Sequence, residues 1–249
     1  MMKVLLIIPA YNEEKNILNV YKSIKKYNDK ANEKDNFRID YVIINDGSSD
    51  STLQICKENN LNVINLITNL GIGGAVQAGY RYAFQNEYDI AIQFDGDGQH
   101  DINYVNSICI PIIKDQIDLC IGSRYIDNNS SKFKSTFMRR FGKNIISFFI
   151  KVFCGKKITD PTSGFRAANR NIIKFFSENY PTDYPEPESI VNVIKEGFSV
   201  NEVPVSMNER TGGKSSINFF KSVHYMIKVS ISIFIDSMKF KKKRKVEEE

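Results

Sequence analysis

The chain has 249 residues and a mass of 28.5 kDa, 42% hydrophobic and 25% charged. That is room for one large domain or two small ones, with a core that needs no disulfide or metal to hold it. The net charge is +5, but six of the basic and three of the acidic residues lie in 239–249. The body is therefore close to neutral and lacks the broadly basic surface of a nucleic-acid binder.

Lys3 is followed directly by an apolar run that ends at Pro9, which is not the pattern of a secretion signal. Val4 to Ile8 is continuous and branched, and predicts a strand buried on both faces. Ile17, Val20, Tyr21 and Ile24 predict a helix over 13–29, after which 30–36 is a polar loop. The spacing then predicts a strand over 39–44, a helix over 48–59, a strand over 63–66, a helix over 75–86 and a strand over 90–94. A helix over 102–114, carrying Pro111, and a strand over 118–121 complete the first half. Strands alternating with helices predict an α/β fold with a mainly parallel central sheet flanked by helices. In such sheets ligands sit beyond the C-terminal strand ends.

The second half carries two apolar stripes at helical spacing. One is Phe137, Phe141, Ile145, Phe148 and Val152; the other is Phe220, Val223, Ile227, Ile231, Phe234 and Met238. Each has Lys or Arg off the stripe, so each can pack on the sheet or lie at an anionic membrane surface. The longest uncharged stretch, 59–80, is broken by several Asn and Gly, so no segment predicts a membrane span. Cys56, Cys109, Cys120 and Cys154 form no CxxC pair, which argues against a zinc site or a disulfide framework and for a reducing, cytosolic exposure.

Three polar strings fall at three strand ends. In PAYNEE (9–14), Asn12 is placed to cap the following helix, with Glu13 and Glu14 in its first turn. In NDGSSDST (45–52), Asp46 stands at a strand terminus and Gly47 permits a tight turn. In DGDGQH (95–100), Asp95 and Asp97 flank a glycine after a buried strand. Like charges this close repel unless a cation or hydrogen-bond donors compensate. Hard oxygen ligands suit Mg²⁺ or Mn²⁺ held together with substrate phosphates. His100 is either a packing residue or a support for these carboxylates. GIGGAVQAG (71–79) does not fit the dinucleotide pattern GxGxxG and follows the third strand. Its glycines instead permit close approach to the sheet or to a ligand.

Together with NLGIGGAVQAG (69–79), these strings resemble, in order and spacing, those of family 2 glycosyltransferases with the GT-A fold. GSR (122–124), DPTSGFRAANR (160–170) and EVPVSMNERTGGKSSI (202–217) resemble the branch that glycosylates dolichyl and other polyprenyl phosphates. The resemblance covers about residues 3–217 and implies a catalytic domain over 1–216. Residues 217–249 are then an amphipathic helix and basic tail that can lie peripherally on the cytoplasmic face of a membrane.

By this resemblance Pro9, Ala10, Tyr11, Asn12 and Glu14 line the nucleotide pocket and Asp46 contacts the base or ribose. Asp95 and Asp97 belong to the DxD signature, and Asp97 and Gln99 ligate the metal on the donor diphosphate. Arg124 and either Arg139 or Arg140 grip phosphate, while Arg210 and Lys214 close over the donor. The polyprenyl branch usually has a GESK-like segment where this chain reads GGKSS (212–216). Glu188 matches the general base of hydroxyl-transferring relatives, with Glu186 beside it in reserve. The implied reaction is inverting transfer from a nucleotide-sugar donor, with a lipid phosphate or a glycan hydroxyl as acceptor. A nucleotide-sugar-binding protein without catalysis is the remaining alternative.

Overall fold

The computed structural model describes residues 2–30, 37–126 and 137–208, with 228, 229 and 231. Among these, seven strands form one sheet: β1 (Met2–Ala10), β2 (Phe37–Asn45), β3 (Val63–Asn65), β4 (Ile90–Gln93), β5 (Leu119–Ser123), β6 (Arg166–Asn169) and β7 (Val200–Pro204). Their order is β3-β2-β1-β4-β6-β5-β7. Every pairing is parallel except those of β6, which runs antiparallel to β4 and β5. The helices are α1 (Ile17–Lys30), α2 (Thr52–Glu58), α3 (Gly71–Gln85), α4 (Val105–Asp115), α5 (Phe137–Cys154), α6 (Arg170–Glu178) and α7 (Pro185–Lys195).

Alternate side chains of β1 feed two cores. Leu5 and Ile7 pack with α3, α5, α6 and α7, while Val4, Leu6 and Ile8 pack with α1, α2 and α4. This is the expected α/β architecture, with two strands beyond the five that the alternation predicts: β6, inserted between β4 and β5, and β7 at the sheet edge. The glycines of 71–79 lie inside α3. A Cβ on Gly79 would stand 2.1 Å from Ile7 Cγ2, and one on Gly73 would stand 2.3 Å from the Pro181 carbonyl oxygen. These two glycines let α3 press on the sheet and on the segment before α7.

Three residues of the first stripe face outward on α5. Ile146 and Ile150 are buried, whereas Phe141, Phe148 and Val152 are 50%, 61% and 57% exposed. Among the described residues no helix is long and apolar enough to cross a membrane. Most of the second stripe, the basic tail and the 216/217 boundary lie outside the described residues.

Candidate active site

The C-terminal ends of β1 and β2 are laced together by side chains. Asn12 does not cap α1. It sits in the left-handed region (φ 57°), donates its N–H to Ser48 Oγ at 3.0 Å, and its Oδ1 accepts from the backbone N–H groups of Ser49 and Asp50. Glu14 Oε2 accepts from Ser51 N–H, and Glu13 N–H donates to Thr52 Oγ1 at 2.8 Å. Asp50 returns the favour, accepting from the N–H groups of Glu14 and Thr52. Burial pushes the Asp50 carboxyl up, but the donors from Thr52 and Glu14 hold it below its ordinary value. α1 starts at Ile17 because residues 12–14 are spent on this lacing, and α2 starts at Thr52 for the same reason.

Pro9 and Ala10 are buried at the strand end, and Tyr11 is exposed beside them. Asp46 is buried and its Oδ1 accepts from Leu70 N–H at 2.7 Å, fastening the start of α3 to the end of β2. Gly47 takes φ 64°, and a Cβ there would meet Asn69 N at 2.8 Å, so the tight turn requires glycine.

Beyond β4, Asp95 is held on both sides. Its Oδ2 lies 3.0 Å from His100 Nε2, and Gln93 Nε2 donates to Oδ1 at 3.4 Å. Tyr180 O–H in turn donates to Gln93 Oε1. Burial alone would raise the Asp95 carboxyl, but His100, Gln93 and the nearby Arg166 guanidinium keep it below the usual carboxylate range. The His100 ring stacks on Phe165 at 5.0 Å, so it both packs and positions. Asp97 Oδ1 accepts from Gln99 N–H at 3.0 Å across Gly98, whose φ of 78° forms the turn. Among the described residues no three His, Cys, Asp or Glu are grouped to hold an ion by themselves. A cation at this turn would need most of its ligands from elsewhere, such as phosphate oxygens.

Arg124 follows β5 and is gripped by a carboxylate absent from the sequence-derived candidates. Asp160, fully buried, accepts from Arg124 Nε at 2.6 Å, Nη2 at 2.7 Å and backbone N–H at 3.1 Å. Burial works against the guanidinium charge, and Asp160 overcomes it, so the Arg124 pKa rises. Asp160 N–H and Thr159 N–H donate to Glu202 on β7 at 2.8 and 2.7 Å. The rest of DPTSGFR runs along the strand ends. Ser163 Oγ donates to the Gly122 carbonyl, and Gly164 passes Asp95 so closely that a Cβ would sit 3.0 Å from Oδ2. Arg166, fully buried, reaches the Glu186 carbonyl and Ser189 Oγ at the start of α7.

Glu186 and Glu188 occupy the first turn of α7, both half-buried. Burial raises the Glu186 carboxyl above its ordinary value, Arg166 pulls it down, and Asp95 pushes it up again. Arg140 is exposed on α5, whereas Lys143 lies half-buried beneath Tyr125. The side chain of Arg139, and Arg210 and Lys214 altogether, lie outside the described residues.

The family model "Glycosyl transferase family 2" matches residues 5–176. The chain is a family 2 glycosyltransferase. It is 33% identical over 220 residues to the UDP-N-acetylglucosamine–dolichyl-phosphate N-acetylglucosaminyltransferase of Methanococcus voltae, covering 80% of this chain and 83% of that one. It is 25% identical over 228 residues to the undecaprenyl-phosphate mannosyltransferase of Micrococcus luteus, covering 87% and 88%. In three dimensions it resembles glucosyl-3-phosphoglycerate synthase of Mycobacterium tuberculosis, crystallised with Mn²⁺, UDP and phosphoglyceric acid. That likeness has a TM-score of 0.69 at 15% identity, over 96% of this chain and 79% of that one. It shows the GT-A fold.

The glycosyltransferase thus gathers PAYNEE, NDGSSDST, DGDGQH, GSR and DPTSGFR at one edge of its sheet. Sequence reasoning supplied Asp95, Asp97 and Arg124 but not the groups that hold them: Gln93, Tyr180, Asp160, Arg166 and Glu202. Asp160 and Arg166 stood inside a string used only for its resemblance. The signal available for them was an Asp and an Arg flanking a buried Ser-Gly-Phe, charges that demand partners.

Proposed function

We propose that this glycosyltransferase moves a sugar from a nucleoside diphosphate donor, with inversion, onto a polyprenyl phosphate at a membrane surface. The observation that carries this reading is the Arg124 guanidinium, locked by buried Asp160 at the strand edge that also bears Asp97. A planar cation held in this way is suited to phosphate recognition. The Methanococcus voltae and Micrococcus luteus relatives, named for lipid-phosphate acceptors, support the same reading.

In this account Tyr11 and Asp46 border the nucleoside, and Asp95 accepts a hydrogen bond from a hydroxyl of the donor. A divalent cation on Asp97 and Gln99 would neutralise charge on the departing diphosphate. The acceptor phosphate is anionic near neutral pH and attacks without a base. A sugar hydroxyl as acceptor is the second reading. The raised carboxyl of Glu186 beside Asp95 favours it, because such a group sits nearer the pKa a general base requires. Transfer of label from a nucleotide sugar into a lipid-extractable product, dependent on added polyprenyl phosphate, tests the first reading.

The outward face of α5 is the proposed membrane contact, with exposed Arg140 and Lys151 flanking Phe141, Phe148 and Val152. Residues 217–249 are proposed to join it through their second stripe and basic run. The protein is expected to co-sediment with anionic liposomes at low salt and to release as salt rises. Phe148→Asp, or deletion of 239–245, is expected to weaken sedimentation further. A protein that stays soluble with anionic liposomes at low salt contradicts this contact.

A further inference from the structure

We propose that Glu202 is a positioning residue for the Arg124 guanidinium, acting on it through Thr159 and Asp160. The inference rests on the reading of Arg124 as a phosphate-binding residue. It adds to that reading a carboxylate on β7 that reaches Arg124 only through other residues.

Glu202 is half-buried in mid-strand, opposite Ile121 of β5. Among the described residues the ion pairs are His100–Asp95, Arg124–Asp160 and Arg170–Glu87, and Glu202 is in none of them. Its carboxylate instead takes three uncharged donors from two consecutive residues. Oε2 accepts from Thr159 N–H at 2.7 Å, and Oε1 accepts from Thr159 Oγ1 at 2.9 Å and from Asp160 N–H at 2.8 Å.

The direction of the surrounding hydrogen bonds follows from that carboxylate. A carboxylate only accepts, and a hydroxyl has one proton to give. Thr159 Oγ1 gives its proton to Glu202, so at the 2.7 Å contact between Ser123 Oγ and Thr159 Oγ1 the serine is the donor. Ser123 Oγ in turn accepts from Tyr125 N–H at 3.3 Å. The chain therefore runs one way, from Tyr125 N–H through Ser123 and Thr159 to Glu202. Arg124 lies inside its first link, and Asp160 holds the Arg124 backbone N–H, Nε and Nη2. Both the backbone and the side chain of Arg124 thus depend on where residues 159 and 160 sit.

Fastening β7 or the 155–165 segment to the sheet does not require this carboxylate. β7 is paired with β5 from Leu119–Val200 to Ser123–Pro204. The chain beyond residue 160 is held by Ser163 Oγ on the Gly122 carbonyl at 2.6 Å and by Gly122 N–H on the Phe165 carbonyl at 2.8 Å. What Glu202 adds is local. The Thr159 carbonyl accepts from Lys143 Nζ, and the Asp160 N–H of the same peptide donates to Glu202. With both ends of that peptide held, the direction in which the Asp160 side chain leaves the chain is set. A binding group has to be kept within about 0.5 Å of its productive place, and such support comes from the residues behind it.

The test uses the full-length protein, saturating nucleotide sugar and farnesyl phosphate as a soluble acceptor. In Glu202→Gln one carboxylate oxygen becomes an NH2 group that faces another donor. The acceptor KM is expected to rise on the order of 10-fold, the loss of one charged hydrogen bond. Donor KM should stay near wild type. Thr159→Val, which cuts the chain at its hydroxyl, should raise the acceptor KM as well, and Thr159→Ser should recover most of it. In an Arg124→Lys background the forked contact with Asp160 is already gone, and Glu202→Gln should add no more than about twofold. A general loss of stability would not produce that non-additivity.

An unchanged acceptor KM in Glu202→Gln overturns the proposal. So does a rise in the Arg124→Lys background as large as in wild type, which would leave Glu202 a structural tie alone. If Glu202→Gln does not fold, Thr159→Val and Thr159→Ser decide in the same two backgrounds. The phosphate reading itself fails, before Glu202 is varied, if Arg124→Lys keeps the wild-type acceptor KM. It fails equally if the wild-type protein transfers to a glycan and to no isoprenyl phosphate.

Discussion

Asp97→Ala is expected to lower transfer by at least about 10²-fold, the scale of removing one group that stabilises charge in a transition state. Asp97 lies on a glycine turn beyond β4, next to an Asp95 that His100 and Gln93 already hold. Asp97 is the carboxylate proposed to meet a cation, as the resemblance of its string implies. Alanine also removes the acceptor for Gln99 N–H, so Asp97→Asn is the sharper variant. It can keep that hydrogen bond while losing the charge, and it should be nearly as inactive. EDTA should reproduce the loss in the wild-type protein, and Mn²⁺ or Mg²⁺ should restore it. Calorimetry of Mn²⁺ with the nucleoside diphosphate should show cation binding in wild type and not in either variant. Undiminished transfer in excess chelator removes the metal from this account.

The second large effect separates the two acceptors. Arg124→Ala leaves Asp160, which is 0% exposed, with a charge and no guanidinium. Breaking a buried pair in this way costs about 3–5 kcal/mol of stability. The truncation therefore unfolds part of the population and says little about catalysis by itself. Arg124→Lys keeps a charge near Asp160 but gives up the forked contact. It is expected to fold and to lose on the order of 10- to 100-fold in transfer, equivalent to one charged hydrogen bond of about 1.5–3 kcal/mol.

Glu188→Gln and Glu186→Gln complete the comparison. If a phosphate attacks, no proton leaves the nucleophile, and both variants keep most of the chemical step. If a hydroxyl attacks, loss of the base costs about 10²- to 10⁴-fold. The account expects the first pattern. A folded Glu186→Gln or Glu188→Gln that binds donor and metal but no longer transfers sugar moves the acceptor to a glycan hydroxyl.

The parts of the fold that were legible in the sequence are those encoded locally. Val4–Ile8 is a buried strand because five consecutive apolar residues leave it no polar face. The polar strings after β1, β2 and β4 mark the C-terminal edge of the sheet for the same reason: buried strands end where polarity begins. What escaped depends on partners far away in the chain. Asn12 looks like a cap for the helix that follows, yet its acceptor oxygen serves Ser49, 37 residues on. Asp160 meets Arg124 across 36 residues, and Glu202 meets Thr159 across 43.

β6 escaped for a different reason. Arg166-Ala-Ala-Asn has little strand propensity, and only its place between β4 and β5 makes it one. On α5 the stripe of Phe141, Phe148 and Val152 drew attention, yet these look out, while Ile146 and Ile150 are buried with Phe149 and Phe153 packed beside them. Spacing identifies a stripe but does not say which side the protein covers.

The central claim is that the nucleophile is a lipid phosphate. The most direct measurement offers the protein, with Mn²⁺ or Mg²⁺ and a panel of labelled UDP- and GDP-sugars, one polyprenol in two forms, with and without its phosphate, and then partitions the products between organic solvent and water. The account predicts organic-phase label with the phosphate form and none with the free alcohol. Label confined to a water-soluble glycan, with none extracted alongside polyprenyl phosphate, contradicts it.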